Sequence, residues 1–115
     1  MFLPRHVATE IKQLVHDLVQ GKFVKISRDG RSGRLDATQL QYAINKYGNR
    51  LTMPPDSSFE EIEGWLVDTE VLPTWSTEFD LWTADEGKSD LTLLLTISDT
   101  WNGIVRIEID DLRTL

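Results

Sequence analysis

Cysteine is absent from all 115 residues. That excludes a disulfide framework, a thiolate nucleophile and a cysteine-ligated metal centre. No apolar run approaches the roughly 20 residues that span a membrane, so no membrane partner is expected. The start, MFLPRHVATEIKQ, has no long apolar core and no small-residue cleavage site, and reads as no signal peptide. A reducing, cytoplasmic location is the expectation. The glycine-bearing stretch SRDGRSG lacks the Gly-Lys-Ser/Thr ending of a phosphate loop.

Positive charge is scarce in the second half. Residues 51–115 hold three Lys/Arg against fifteen Asp/Glu, a net of −12, whereas residues 1–50 hold nine against four, a net of +5. An acidic field repels nucleic acid, whose binding leans on Lys/Arg contacts to phosphate. It attracts basic proteins instead. The basic cluster Lys22, Lys25, Arg28, Arg31 and Arg34 has no interleaved aromatics, so no nucleic-acid partner is expected there either.

Apolar residues make up 40% of the chain and charged residues 27%, which suits one domain, residues 1–115, with a modest core. Val7, Ile11, Leu14, Val15, Leu18 and Val19 recur at helical spacing, predicting a helix over 4–20 that Gly21 ends. His16 falls beside that face and reads as a surface residue. GKFVKI, 21–26, is a short apolar piece. Asp36 and Gln39 form a capping box for a second helix, whose apolar face is Leu40, Ala43, Ile44 and Tyr47, and which ends before Gly48. Met53-Pro54-Pro55 makes residues 49–58 an extended linker. Residues 59–71 fit either a helical face or a bent strand with a bulge at Gly64, and the strand is favoured.

After Pro73 the period is two. Phe79 and Leu81, then Leu91, Leu93 and Leu95, then Val105, Ile107 and Ile109 mark the inward faces of three half-buried strands. DEGKS and DTWNG supply the connections. Two helices followed by an antiparallel meander define an α+β domain, with the helices packed on a curved C-terminal sheet.

This order resembles the cystatin-like or nuclear-transport-factor-two-like roll. LVQGKFVKI looks like the end of the first helix in such proteins, and RIEIDDLRTL like their last strand. More narrowly, YGNRLTMPP with FDLWTADEGKSDLTLLLTI is similar to a family of small, uncharacterised bacterial proteins sharing a DLWT-x-x-EG-x-SDL motif. The roll hosts enzymes, ligand carriers, adaptors and immunity proteins, so the resemblance does not choose a function. Its enzymes usually carry a titratable pair inside the cone. The inward positions named above contain none, which departs from that pattern and favours a non-enzyme.

The densest polar stretch is FDLWTADEGKSDL, residues 79–91. Asp80, Asp85, Glu86 and Asp90 lack the rhythm of a calcium loop, so neither metal nor cofactor is expected. Period two puts Asp80 and Trp82 on the face opposite Phe79 and Leu81, where exposed carboxylates stay ionised and do little acid chemistry. An outward Trp among acids suits an interface anchor; the alternative is that a loop or the Met53-Pro54-Pro55 linker covers Trp82. The expected contacts are Asp80, Trp82, Asp85, Glu86, Asp90, Trp101, Asp110 and Asp111. The expected activity is that of an acidic, non-enzymatic binding protein for a basic partner, in its sharpest form an immunity protein that neutralises a bacterial toxin. Two alternatives stay open: a small-ligand binder or enzyme using a cone mouth lined by Tyr42, Tyr47, Trp65 and Trp75, and a homodimer through the outer sheet face.

Overall fold

In the computed structural model, which describes residues 1–67, 71–100 and 102–115, three helices pack on one antiparallel sheet. The α+β class read from the sequence is what is observed. The helices are α1 (Arg5–Val19), α2 (Phe23–Arg28) and α3 (Ala37–Tyr47). The strands are β1 (Leu51–Thr52), β2 (Gly64–Leu66), β3 (Thr74–Thr83), β4 (Gly87–Asp99) and β5 (Val105–Thr114).

Local chemistry accounts for the helix ends. In α1, Val7, Ile11, Leu14, Val15 and Leu18 are buried on one stripe, and Gly21 takes a left-handed φ of 71° just beyond it. The α3 box forms as expected: Gln39 N–H donates to the Asp36 carboxylate at 2.8 Å, and Asp36 N–H donates to the Gln39 side chain at 2.9 Å. Gly48 ends α3 at φ 92°. The sequence reading gives 21–26 no helix, yet α2 spans Phe23–Arg28. It buries only Ile26 fully, and one and a half turns are too short to display a period.

The sheet runs β1-β3-β4-β5, with β2 pairing the other end of β3. The meander β3-β4-β5 is as expected, but its first turn is tighter, since Thr83 pairs Gly87. Two irregularities interrupt it. Opposite Leu81 the ladder shifts between Trp82–Lys88 and Asp80–Thr92. There the buried Ser89 hydroxyl donates to the Leu81 carbonyl at 2.6 Å and accepts from Leu91 N–H at 3.2 Å, replacing the lost ladder bonds. In β5, Leu94 pairs Asp111 while Leu95 pairs Ile109, so Asp110 is an extra residue. The shift turns Leu112 inward behind Ile107 and Ile109.

The favoured strand in 59–71 is present as β2, preceded by a 3₁₀ turn over Asp56–Phe59. Gly64 lets Leu3 pack against the strand, since a Cβ there would lie 2.3 Å from Leu3 Cδ2 and displace that side chain. The first residues hold the same edge, where Leu3 N–H donates to the Ile62 carbonyl at 2.9 Å and Gly64 N–H to the Met1 carbonyl at 2.8 Å. The inward set Phe79, Leu81, Leu91, Leu93, Leu95, Ile107 and Ile109 is buried with the α1 stripe in one core, and Val105 is half-buried at its border.

Candidate functional site

The helices cover one sheet face. On the other, the ladder sets side chains in rows across the strands. Trp65, Ser76, Thr96 and Glu108 form one row, and Glu78, Leu94 and Asp111 the next. Asp80, Thr92 and Arg113 form a third, and Trp82 pairs Lys88 near the hairpin turn. Ser76, Glu78, Lys88, Glu108 and Asp110 are exposed. This face is acidic and open along its middle.

The structure divides the sequence-derived contacts. Asp80 belongs to the face, accepting from Thr92 Oγ1 at 2.7 Å with Lys88 Nζ at 3.5 Å. Asp110 accepts from Thr96 Oγ1 at 2.6 Å, and Asp111 meets Arg113 Nη1 at 3.4 Å. Asp85 is exposed on the turn, and Asp90 is exposed farther along β4. Among the described residues the acids do not converge in a group of three that could hold a cation. Trp101 lies outside the described residues.

The sequence leaves open whether Trp82 is exposed or covered, and it is half-buried: its ring borders Gly87, where a Cβ would lie 3.5 Å away, and Thr52 of β1, next to the 53–55 linker, pairs alongside it. Glu86 is not a merely solvated turn residue. It accepts from Tyr47 Oη at 2.7 Å, Asn49 Nδ2 at 2.9 Å and Thr83 Oγ1 at 3.2 Å. Tyr47 Oη also accepts from Asp90 N–H at 3.3 Å, so the hairpin turn is tied to the end of α3. The Tyr47 hydrogen bond, followed by that from Asn49, holds the Glu86 carboxyl below the usual carboxylate range. The same bond to Glu86 raises the Tyr47 phenol.

The exposed tryptophan of this face is instead Trp65, 56% exposed in the row with Ser76 and Glu108. Reading 59–71 as a bent strand contained the signal, since Gly64 inward puts Trp65 outward. The expected cone mouth does not assemble from its four aromatics. Trp75 is buried, Tyr47 is bonded to Glu86, and Tyr42 is 65% exposed on α3.

A second polar cluster escaped the sequence reading. Asp17 of α1 is wholly buried, and Arg31 Nη2 lies 2.8 Å from its Oδ2, with Lys25 Nζ at 3.7 Å. Gln13 donates to Oδ1 at 3.1 Å. The Arg31 contact is close yet poorly aligned, and Oδ2 has no well-directed donor, so we treat it as an ion pair. Next to it stands His16, whose side chain is partly exposed while its Nδ1 is buried 3.7 Å from Asp17 Oδ1, beyond hydrogen-bond reach. No hydrophobic period reports Asp17, because it adjoins the α1 stripe and its partners come from another segment.

Residues 15–115 match the model of DUF7668, a domain of unknown function, and the chain belongs to that family. No curated protein and no solved structure matches the chain.

Proposed function

We propose that the protein is a non-enzymatic binding module whose open, acidic sheet face docks a basic protein surface. The observation that carries this reading is Trp65, a large aromatic 56% exposed at the border of a face bearing Glu78, Asp80, Glu108 and Asp110. Interface energy concentrates in buried aromatics, while surrounding charges set approach rate and register. The strong acidity of residues 51–115 adds long-range steering toward a cationic partner. The inward strand positions carry no titratable side chain, and the buried carboxylate of α1, Asp17, is engaged by Arg31. In its sharpest form the module neutralises a toxin by covering a basic active site.

The test is binding kinetics with a basic partner recovered by affinity capture. Trp65→Ala should weaken affinity roughly thirtyfold or more, as loss of an interface anchor does. Paired Glu78→Lys and Asp80→Lys should slow association and remove its salt dependence. Retention of full affinity by these variants sinks the reading. A concentration-dependent dimer that Trp65→Ala dissolves assigns the face to a second copy.

A further inference from the structure

The edge of β3 has a gap. β1 pairs it only at Trp82 and Thr83, and β2 pairs it only from Trp75 to Thr77, so no strand faces Glu78 to Leu81 on that side. Val67 N–H donates to the Thr74 carbonyl and Ala84 N–H to the Arg50 carbonyl, each at 2.9 Å. Antiparallel pairing alternates, so every second residue between Thr74 and Ala84 aims its backbone groups toward this edge. The Asp80 N–H and C=O therefore open into the gap, where no backbone group among the described residues meets them. Phe59 stacks on the buried Phe79 with ring centroids 5.1 Å apart, which closes the gap toward the core.

What remains is a notch of about 220 Å³ that opens on the acidic face. Glu61, Glu63, Glu78 and Asp80 line it together with Trp82, and the one cation of the lining is Lys88. Asp80 holds that cation loosely, with Lys88 Nζ at 3.5 Å and the lysine side chain 67% exposed. The amino terminus of Met1 engages Glu63 at 2.9 Å. Glu61 and Glu78 are exposed and have no ion-pair partner among the described residues. The carboxylates surround the opening without converging as a metal site would, among the described residues. Acceptors spread around an aromatic wall suit a broad, planar cation better than a point charge. A guanidinium carries five donors in one plane and stacks on aromatic rings.

We propose that this notch seats an arginine side chain of the basic partner beside Trp82, between the carboxylates of Glu61, Glu78 and Asp80. The inference rests on the reading of the sheet face as a docking surface, and it adds which partner group is recognised and where. Lys88 is a resident competitor, which the incoming guanidinium displaces from Asp80. A charge-assisted pair at a half-covered site fixes register as well as adding affinity.

The probe is Nα-acetyl-arginine amide, with its citrulline analogue, similar in shape and uncharged, as the control. NMR titration at low salt follows the Trp82 indole N–H and the Asp80 amide. We expect both signals to saturate with arginine at a Kd of roughly 1–5 mM, and neither to move with citrulline. Glu61→Gln combined with Glu78→Gln, both at exposed positions, should weaken binding about fivefold with an unchanged melting temperature. Lys88→Gln should tighten it about threefold. Arg113→Gln makes the same change in net charge outside the notch and should leave the affinity unchanged. No saturation by about 20 mM, equal shifts from citrulline, full affinity in the Glu61 and Glu78 variant, or equal effects of Lys88→Gln and Arg113→Gln overturns the proposal. The same variants, tested with the captured partner, separate the two claims. Dependence on Trp65 without dependence on Glu61 and Glu78 overturns the notch and leaves the sheet-face reading; dependence on neither overturns both.

Discussion

Asp17 in the last turn of α1 and Arg31 in the loop after α2 meet at 2.8 Å, with the carboxylate fully inside the protein. Burial opposes the charged carboxylate, but the Arg31 hydrogen-bonding reach and charge, with help from Lys25 and Gln13, outweigh it and hold the carboxyl below its ordinary 3.8. A depressed acid stabilises the fold above its unfolded value and loses that contribution as pH falls through the folded value. This pair therefore keeps its full effect above about pH 4 and weakens only in more acidic solution. Asp17→Asn should cost about 3 kcal/mol, because it removes the buried half of the ion pair and leaves Arg31 only the more exposed Asp29. Urea unfolding at pH 7 measures the loss, and the difference from wild type should shrink in acid.

Tyr47→Phe removes both hydrogen bonds that tie α3 to the first hairpin of the meander, the one donated to Glu86 and the one accepted from Asp90. The Glu86 carboxyl should then titrate closer to its ordinary 4.5, which a carboxyl-carbon NMR titration reads directly. The sign differs at the two ends of the pH range. The Glu86 contribution is present above 4.5 and fades as pH falls through its lower folded value. The Tyr47 contribution is present below 10.0 and fades as pH rises through its higher folded value. Melting of wild type and variant should converge at both extremes.

Gly33 has φ 59°, and a Cβ there would lie 2.4 Å from the Ile109 carbonyl oxygen. Gly33→Ala should destabilise by roughly 2 kcal/mol or more, combining left-handed strain with a backbone clash. Gly30→Ala is the comparison, since its φ is 79° but its Cβ would meet nothing within 4 Å. It should cost about 1 kcal/mol, and equal melting temperatures for the two variants would contradict the close approach.

Acrylamide quenching of Trp fluorescence separates the two outward tryptophans. Trp65→Phe should remove a larger quenchable component than Trp82→Phe, because Trp65 is exposed and Trp82 is half-covered by the hairpin and β1. The reverse order would return the anchor role to Trp82.

Ser89→Ala should lower stability by about 1–2 kcal/mol, because the Leu81 carbonyl and Leu91 N–H lose their shared buried partner. Urea unfolding at neutral pH measures it. Exchange at Leu91 should quicken at the same time, which a general loss of packing would not confine to that amide.

What could be read without coordinates is what a few neighbouring residues encode. The Asp36–Gln39 box, the stop at Gly48, the α1 stripe and the alternation of the last three strands each rest on contacts within one or two turns or on a repeating face. Period two also placed Asp80 outward and Leu93 inward. What needed the tertiary structure depends on partners far away in the chain. Trp82 is half-covered because β1 pairs beside it, and Glu86 is engaged because α3 ends against the hairpin turn. Trp65 is open because β2 borders an uncovered face, and Asp17 is tolerated inside because Arg31 reaches it. Hydrophobic period determines which way a side chain points. Whether anything stands in its way is decided by how the elements pack.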